Sequence, residues 1–218
     1  MTFLHRTLLT TLLVLPLAAQ DTQIQQAQLQ QGPFIGHAER TSVRIWARTS
    51  AVGEYVLSAH PIDDEATPLT ANAKAQLEHD LCVVFDLQGL TANQRYKYSI
   101  ATKDGTNVCG GDGYEFRTAP EPTADCDVRI MFGSCCYEDE GTGDAWQRVQ
   151  IEQPDTVVLL GDTPYIDNTR LRQQRRRYAA FAGFAPMAKL LRTTSWYGTW
   201  DDHDFGANDT DGRMRGKA

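Results

Sequence analysis

The hydrophobic pattern of this chain changes its period near Pro120, and a sequence that does so needs two different kinds of layer. Between residues 32 and 120, short runs at 42–48, 54–58, 82–87, 96–101 and 114–118 alternate polar and apolar side chains, with turns at Gly89 and at Asp104-Gly105. Strict or near-strict alternation marks strands with one buried face, and several of them at this spacing predict a β-sandwich. Beyond the Ala119-Pro120-Glu121-Pro122 linker the alternation stops. Residues 128–133 read instead as a short apolar strand ending in Gly, and 156–161 as a continuous β-branched run, the pattern of a strand covered on both faces. A loop from Gly141 leads into a helix carrying Trp146, Val149 and Gln150, so strand, helix and strand read as a right-handed crossover in a mostly parallel sheet. Residues 170–191 read as helix broken near Gly183 and Pro186, and 194–200 as a further strand.

Length and charge narrow the possibilities. A chain of 218 residues has room for two modest domains, and a net charge of −7 excludes a broad nucleic-acid surface, which needs clustered Lys and Arg. Residues 1–19 read as a signal peptide: a weakly basic start at His5-Arg6, an apolar stretch at 8–17 and small residues at Ala18-Ala19. The stretch is too short for a stable membrane span. There is no twin Arg, so a secreted or periplasmic address by the general route is expected. Residues 20–31 are Gln-rich and read as a flexible leader. Under oxidising conditions the five cysteines, at 82, 109, 126, 135 and 136, would form two disulfides and leave one special sulfur. Three connectivities are open for any four paired cysteines.

Three strand exits then come into register: Gly133-Ser134-Cys135-Cys136, Gly161-Asp162 and Trp200-Asp201-Asp202-His203. Open α/β sheets place ligand sites at the carboxyl ends of their strands, so a thiol, carboxylates, the Tyr165 phenol and an imidazole would converge there. A single carboxylate at such a place is usually a cap or turn residue; three exits together point to a metal-assisted hydrolase. Asp201, Asp204, Asn208 and Asp209 are equally consistent with calcium ligands and with ordinary turn chemistry, Asn208 being the strongest of them as a ligand.

These residues resemble the PhoD-like alkaline phosphatases and phosphodiesterases, a branch of the calcineurin-like metallophosphatase fold. The resemblance is carried by Phe132-Gly133-Ser134-Cys135, by Pro154-Asp155 followed by residues 159–165, and by residues 200–206 with Asn208-Asp209. It implies a fibronectin III-like β-sandwich over residues 32–120, opening with Gly32-Pro33; residues 89–98 resemble the corner of fibronectin type III domains, where a Leu and a Tyr pack before a strand. It further implies the first half of a metallophosphatase α/β domain over 121–218. In that family a thiolate and a phenolate help hold Fe3+, with Ca2+ beside it. Cys135, Asp162, Tyr165, Asp202 and Asn208 would then be metal ligands and His203 the group assisting the departing alkoxide. The substrate would be a small phosphate ester or phosphodiester, its phosphoryl charge neutralised by cations that also activate water.

Two features temper that implication. The arginines at 170, 172, 175, 176 and 177 suit phosphate, yet on a helix after Asp167 they read as a solvated face. The family's later ligands, including a late His, lie beyond residue 218, so the chain is expected to be truncated and weakly active or inactive alone. An apolar sheet face would be left exposed. The alternatives are an exported calcium-binding or adhesion module and a non-catalytic remnant.

Overall fold

The computed structural model describes residues 27–64 and 67–213. The segment read as a signal peptide lies outside the described residues. Among the described residues, no helix is long and apolar enough to cross a membrane.

Eight strands form the amino-terminal layers. Strands β1 (Leu29–Ala38), β2 (Ser42–Thr49) and β5 (Cys82–Gln88) make a three-stranded antiparallel sheet. The second sheet runs β4 (Leu69–Ala75), β3 (Gly53–Pro61), β6 (Arg95–Thr102) and β7 (Asn107–Cys109), with β8 (Glu115–Arg117) also on β6. Alternation in the sequence becomes alternation in burial: Val43, Ile45 and Ala47 point inward from β2, and Tyr55, Leu57 and Ala59 meet them from β3. Tyr96 is buried, and its hydroxyl accepts the Thr91 amide at 2.8 Å, so the corner before β6 is fixed by one side chain whose ring lies in the core. Among the described residues, regular structure begins at Leu29, three residues ahead of the expected Gly32, because β1 pairs with β2 as far as Leu29 opposite Thr49.

Strands β9 (Ile130–Gly133), β10 (Thr156–Leu159) and β11 (Ser195–Gly198) form a parallel sheet in that spatial order. Between them lie α1 (Glu140–Glu152), α2 (Leu171–Ala182) and α3 (Ala185–Leu191). The loop expected from Gly141 is already helix. Asp139 accepts the Thr142 amide at 2.7 Å as an N-cap, so α1 starts at Glu140 despite Gly141 and Gly143. The break between α2 and α3 falls where expected, with Gly183 closing one helix and Pro186 in the first turn of the next. Trp146, Met187 and Leu191 bury one face of the sheet, at Val157 and Leu159, and Phe34 of β1 joins this second core.

Two expectations are corrected, the first in part. The parallel sheet is covered on one face only, and Ile130 and Phe132 on the other are 58% and 70% exposed, the open apolar face that was also expected. The apolar run of β10 had implied burial on both faces, but Val158, level with Phe132 and Tyr197, remains half-exposed. The two disulfides do not form: all five cysteines are free, Cys109 buried beside the sandwich core and Cys126 exposed in the linker.

Candidate metal centre

The site lies at the carboxyl ends of β9, β10 and β11, and backbone hydrogen bonds knit the three exits before any side chain is considered. The Cys135 amide donates to the Gly161 carbonyl and the Cys136 amide to the Asp162 carbonyl, both at 3.2 Å. The Ile166 amide donates to the His203 carbonyl at 2.8 Å. Gly161 has φ +99°, and a Cβ there would stand 2.6 Å from the Asp201 Cβ, so only glycine admits the third exit this close to the second. Cys135 and Asp162 are themselves left-handed, at φ 58° and 52°, a conformation that non-glycine residues adopt at some cost and that recurs at functional sites.

Asp204 closes the arrangement from below. It is buried in the short helix α4 (Asp202–Phe205), and its carboxylate accepts the Asp162 amide at 2.7 Å and the Asp201 amide at 2.8 Å. The Asp201 side chain in turn accepts the Asp202 amide at 2.9 Å and the Asp204 amide, the latter completing a capping box with Asp204. Asp201 and Asp204 therefore serve as structural groups that fix the turn. Burial pushes the Asp204 carboxyl up, against the opposing pull of the amides it accepts.

Above this clasp, Asp162, Asp202 and His203 each offer a ligand atom within 4.8 Å of the other two. The Cys135 thiol lies 3.6 Å from Asp162 Oδ2. Tyr165 shares a hydrogen bond with the Cys135 sulfur, and that bond, ahead of desolvation, pushes its phenol well up; the phenol keeps its proton unless a strong Lewis acid takes its place. Asn208 Oδ1 is 3.2 Å from His203 Nε2, while its amide donates to Asp209 at 2.7 Å. The Asp202 carboxyl is held down, first by the Asp209 amide it accepts. Asp167 hydrogen-bonds His203 Nδ1, and this contact raises the imidazole pKa.

One atom tests whether a cation fits this cage. Asp162 Oδ1 is buried and has no hydrogen-bond partner among the described residues. A buried carboxylate oxygen left unpaired is costly, whereas a cation held between the Asp162 and Asp202 carboxylates would relieve that cost. The donor set of carboxylates, thiol and phenol fits such an ion.

Two contributors escaped the sequence reading. Arg177 is not part of a solvated face: its Nε donates to the Tyr165 carbonyl at 2.9 Å and its Nη2 to Glu138 at 2.9 and 3.1 Å. It thereby ties the loop after Cys135 to the loop carrying Tyr165. Tyr137 stacks on Tyr165 with centroids 4.4 Å apart and planes 2° from parallel, and Tyr165 leans on His203 at 4.6 Å. Only Arg177's place as the last of the arginine run gave any hint of its role; Tyr137 gave none.

A β-sandwich joined to a parallel α/β layer, with acidic and sulfur donors at the strand exits, defines the class of molecule. Among solved structures, the chain superimposes on the structure of PhoD with a TM-score of 0.72 and 20% identity, covering 85% of this chain and 42% of that one. The fold is thus PhoD-like, and the chain spans less than half the length of that protein. The sensor domain of the anti-sigma factor RsgI4 from Pseudobacteroides cellulosolvens covers 47% of this chain and 97% of its own at a TM-score of 0.35 and 10% identity, too distant to inform the site. No family model matches the sequence, and no curated protein matches it.

Proposed function

We propose that this chain carries the metal centre of a phosphate-ester hydrolase of the PhoD type, with a fibronectin III-like sandwich in front of it. The observation that carries the reading is the unpartnered, buried Oδ1 of Asp162, a carboxylate that gathers with Asp202 and His203 and whose other oxygen lies 3.6 Å from the Cys135 sulfur. Cys135 and Tyr165 suit a ferric ion and Asp162 a bridging position, while Asp202 and Asn208 suit a hard cation such as calcium. When bound, such cations would neutralise phosphoryl charge and acidify water.

The chain's own residues then divide the remaining work. His203, whose Nδ1 is engaged by Asp167, would protonate a departing alkoxide from Nε2 and stands outside the ligand set. Arg177 and Asp204 keep the donor loops in place, and the stacked Tyr137 fixes the plane of the Tyr165 ring. Small phosphate monoesters or diesters would be the substrates. The segment at 1–19 would direct the protein to the periplasm or beyond, the setting in which free phosphate esters are scavenged.

Metal analysis of the purified chain tests the assignment. Bound iron with a visible tyrosinate or thiolate charge-transfer band, lost in Tyr165→Phe and Cys135→Ser, is the expected result. Calcium uptake with no iron under any loading condition would overturn it.

A further inference from the structure

Away from the metal centre, a cleft of about 520 Å³ separates the β-sandwich from α2. Ligand sites commonly measure roughly 300–1,000 Å³ and combine apolar walls with a few polar groups. Here the walls are aromatic. Phe34 and Trp46 stack at 5.4 Å on the sandwich side, and Tyr178, Phe181 and Trp196 face them from the α/β side. Residues 175, 178, 179 and 182 of α2 all line the cleft, the i, i+3, i+4, i+7 stripe of one helix face. Arg177 lies off that stripe, turned toward Tyr165.

Charge at the mouth is unbalanced. Arg48 is already committed, to Asp80 at 2.9 Å and Gln31 at 3.2 Å. Arg175 lines the cleft and acts electrostatically on the Cys82 thiol, yet it has no carboxylate partner among the described residues. Arg172 and Arg176, on the adjoining turn, border a second hollow that again includes Arg48 and Asp80. They too have no carboxylate partner among the described residues, so the rim carries more positive charge than Glu78 can offset.

We propose that this cleft binds a singly charged acyl or aryl carboxylate, its apolar body among Phe34, Trp46 and Trp196 and its head on the Arg175 guanidinium. A guanidinium fork matches a carboxylate in two parallel hydrogen bonds, and one unpartnered fork lining the cavity calls for one such head. A neutral ligand would forgo that contact, and a cationic one would be repelled by the arginine rim.

Trp46 and Trp196 make the test direct, because their fluorescence reports on the cleft. The full chain is titrated with dodecanoate below its micellar concentration, with dodecyltrimethylammonium as the cationic match. Saturable quenching by dodecanoate alone is expected. Arg175→Gln, an exposed change that spares the fold, should weaken it at least tenfold, and Ala179→Trp should abolish it by filling the cleft, with unchanged circular dichroism in both. Equal binding of the cationic amphiphile, no saturable binding of dodecanoate, or binding indifferent to both substitutions would each overturn the proposal.

Discussion

The β-sandwich and the α/β layer are built from similar apolar content but spend it differently. In the sandwich, both inner faces are sealed against each other, and Val43, Ile45, Leu57, Phe85 and Ile100 are fully buried. In the α/β layer one face of the sheet is packed under α1 and α3 while Ile130 and Phe132 face outward. Polar atoms are treated in the opposite way. The sandwich satisfies its buried hydroxyls, Tyr55 to the Ala51 carbonyl and Thr118 to the Thr91 carbonyl, whereas the α/β layer buries a bare carboxylate oxygen on Asp162. A fully satisfied core serves stability; an unsatisfied atom held in a strained loop is the mark of a site waiting for a partner.

The sharpest break of that contrast is Leu57→Ala. Removing a fully buried side chain from the sandwich should cost about 2–5 kcal/mol, read by chemical denaturation, because neighbours collapse only partly into the cavity. Gly161→Ala comes next. The added methyl would sit 2.8 Å from the Asp201 amide nitrogen at a positive φ, so a loss of roughly 1–3 kcal/mol is expected together with loss of metal uptake. Hydrogen exchange should show the sandwich amides unaffected. Arg177→Ala should weaken metal affinity by about 10–100-fold, as groups that orient ligands commonly do, while Arg176→Ala at the neighbouring exposed position leaves it alone. Competition with a chelator measures both.

A smaller effect distinguishes Asp167. Its contact raises the His203 pKa, so the stability that the pair adds is fully present below the ordinary imidazole value of about 6.5 and is lost as pH rises through the raised folded value. In Asp167→Asn the His203 titration followed by NMR in chelator should move to lower pH; an unmoved midpoint would remove Asp167 from the site. The smallest change belongs to the outward face of the parallel sheet. Phe132→Ser should alter stability by less than about 0.5 kcal/mol, in contrast to Leu57→Ala, because Phe132 is already mostly in water.

Much of the frame was legible because each layer writes its own period into the chain. The alternation at 42–48 and 96–101 reappears as β2 and β6, and the helix break at Gly183 and Pro186 reappears between α2 and α3. The exits carrying Cys135, Asp162 and Asp202 were legible too, since Gly followed by a polar cluster after an apolar run marks a strand end. The run at 156–161 misled on β10 alone: an apolar run states that a strand can be covered, and says nothing of what covers it. Arg177 and Tyr137 were hidden for another reason. Their partners, Glu138 with the Tyr165 carbonyl and the Tyr165 ring, lie 12 to 39 residues away in sequence, and only the folded layer brings them together. The cap at Asp139 was a local signal overlooked behind two glycines.

The shared carboxylate of Asp204 has a mechanical consequence. Because it grips the amides of both Asp162 and Asp201, the second and third strand exits form a single knuckle. Whatever tugs on one exit must drag its neighbour along, so a change at Asp201 should be felt at Asp162.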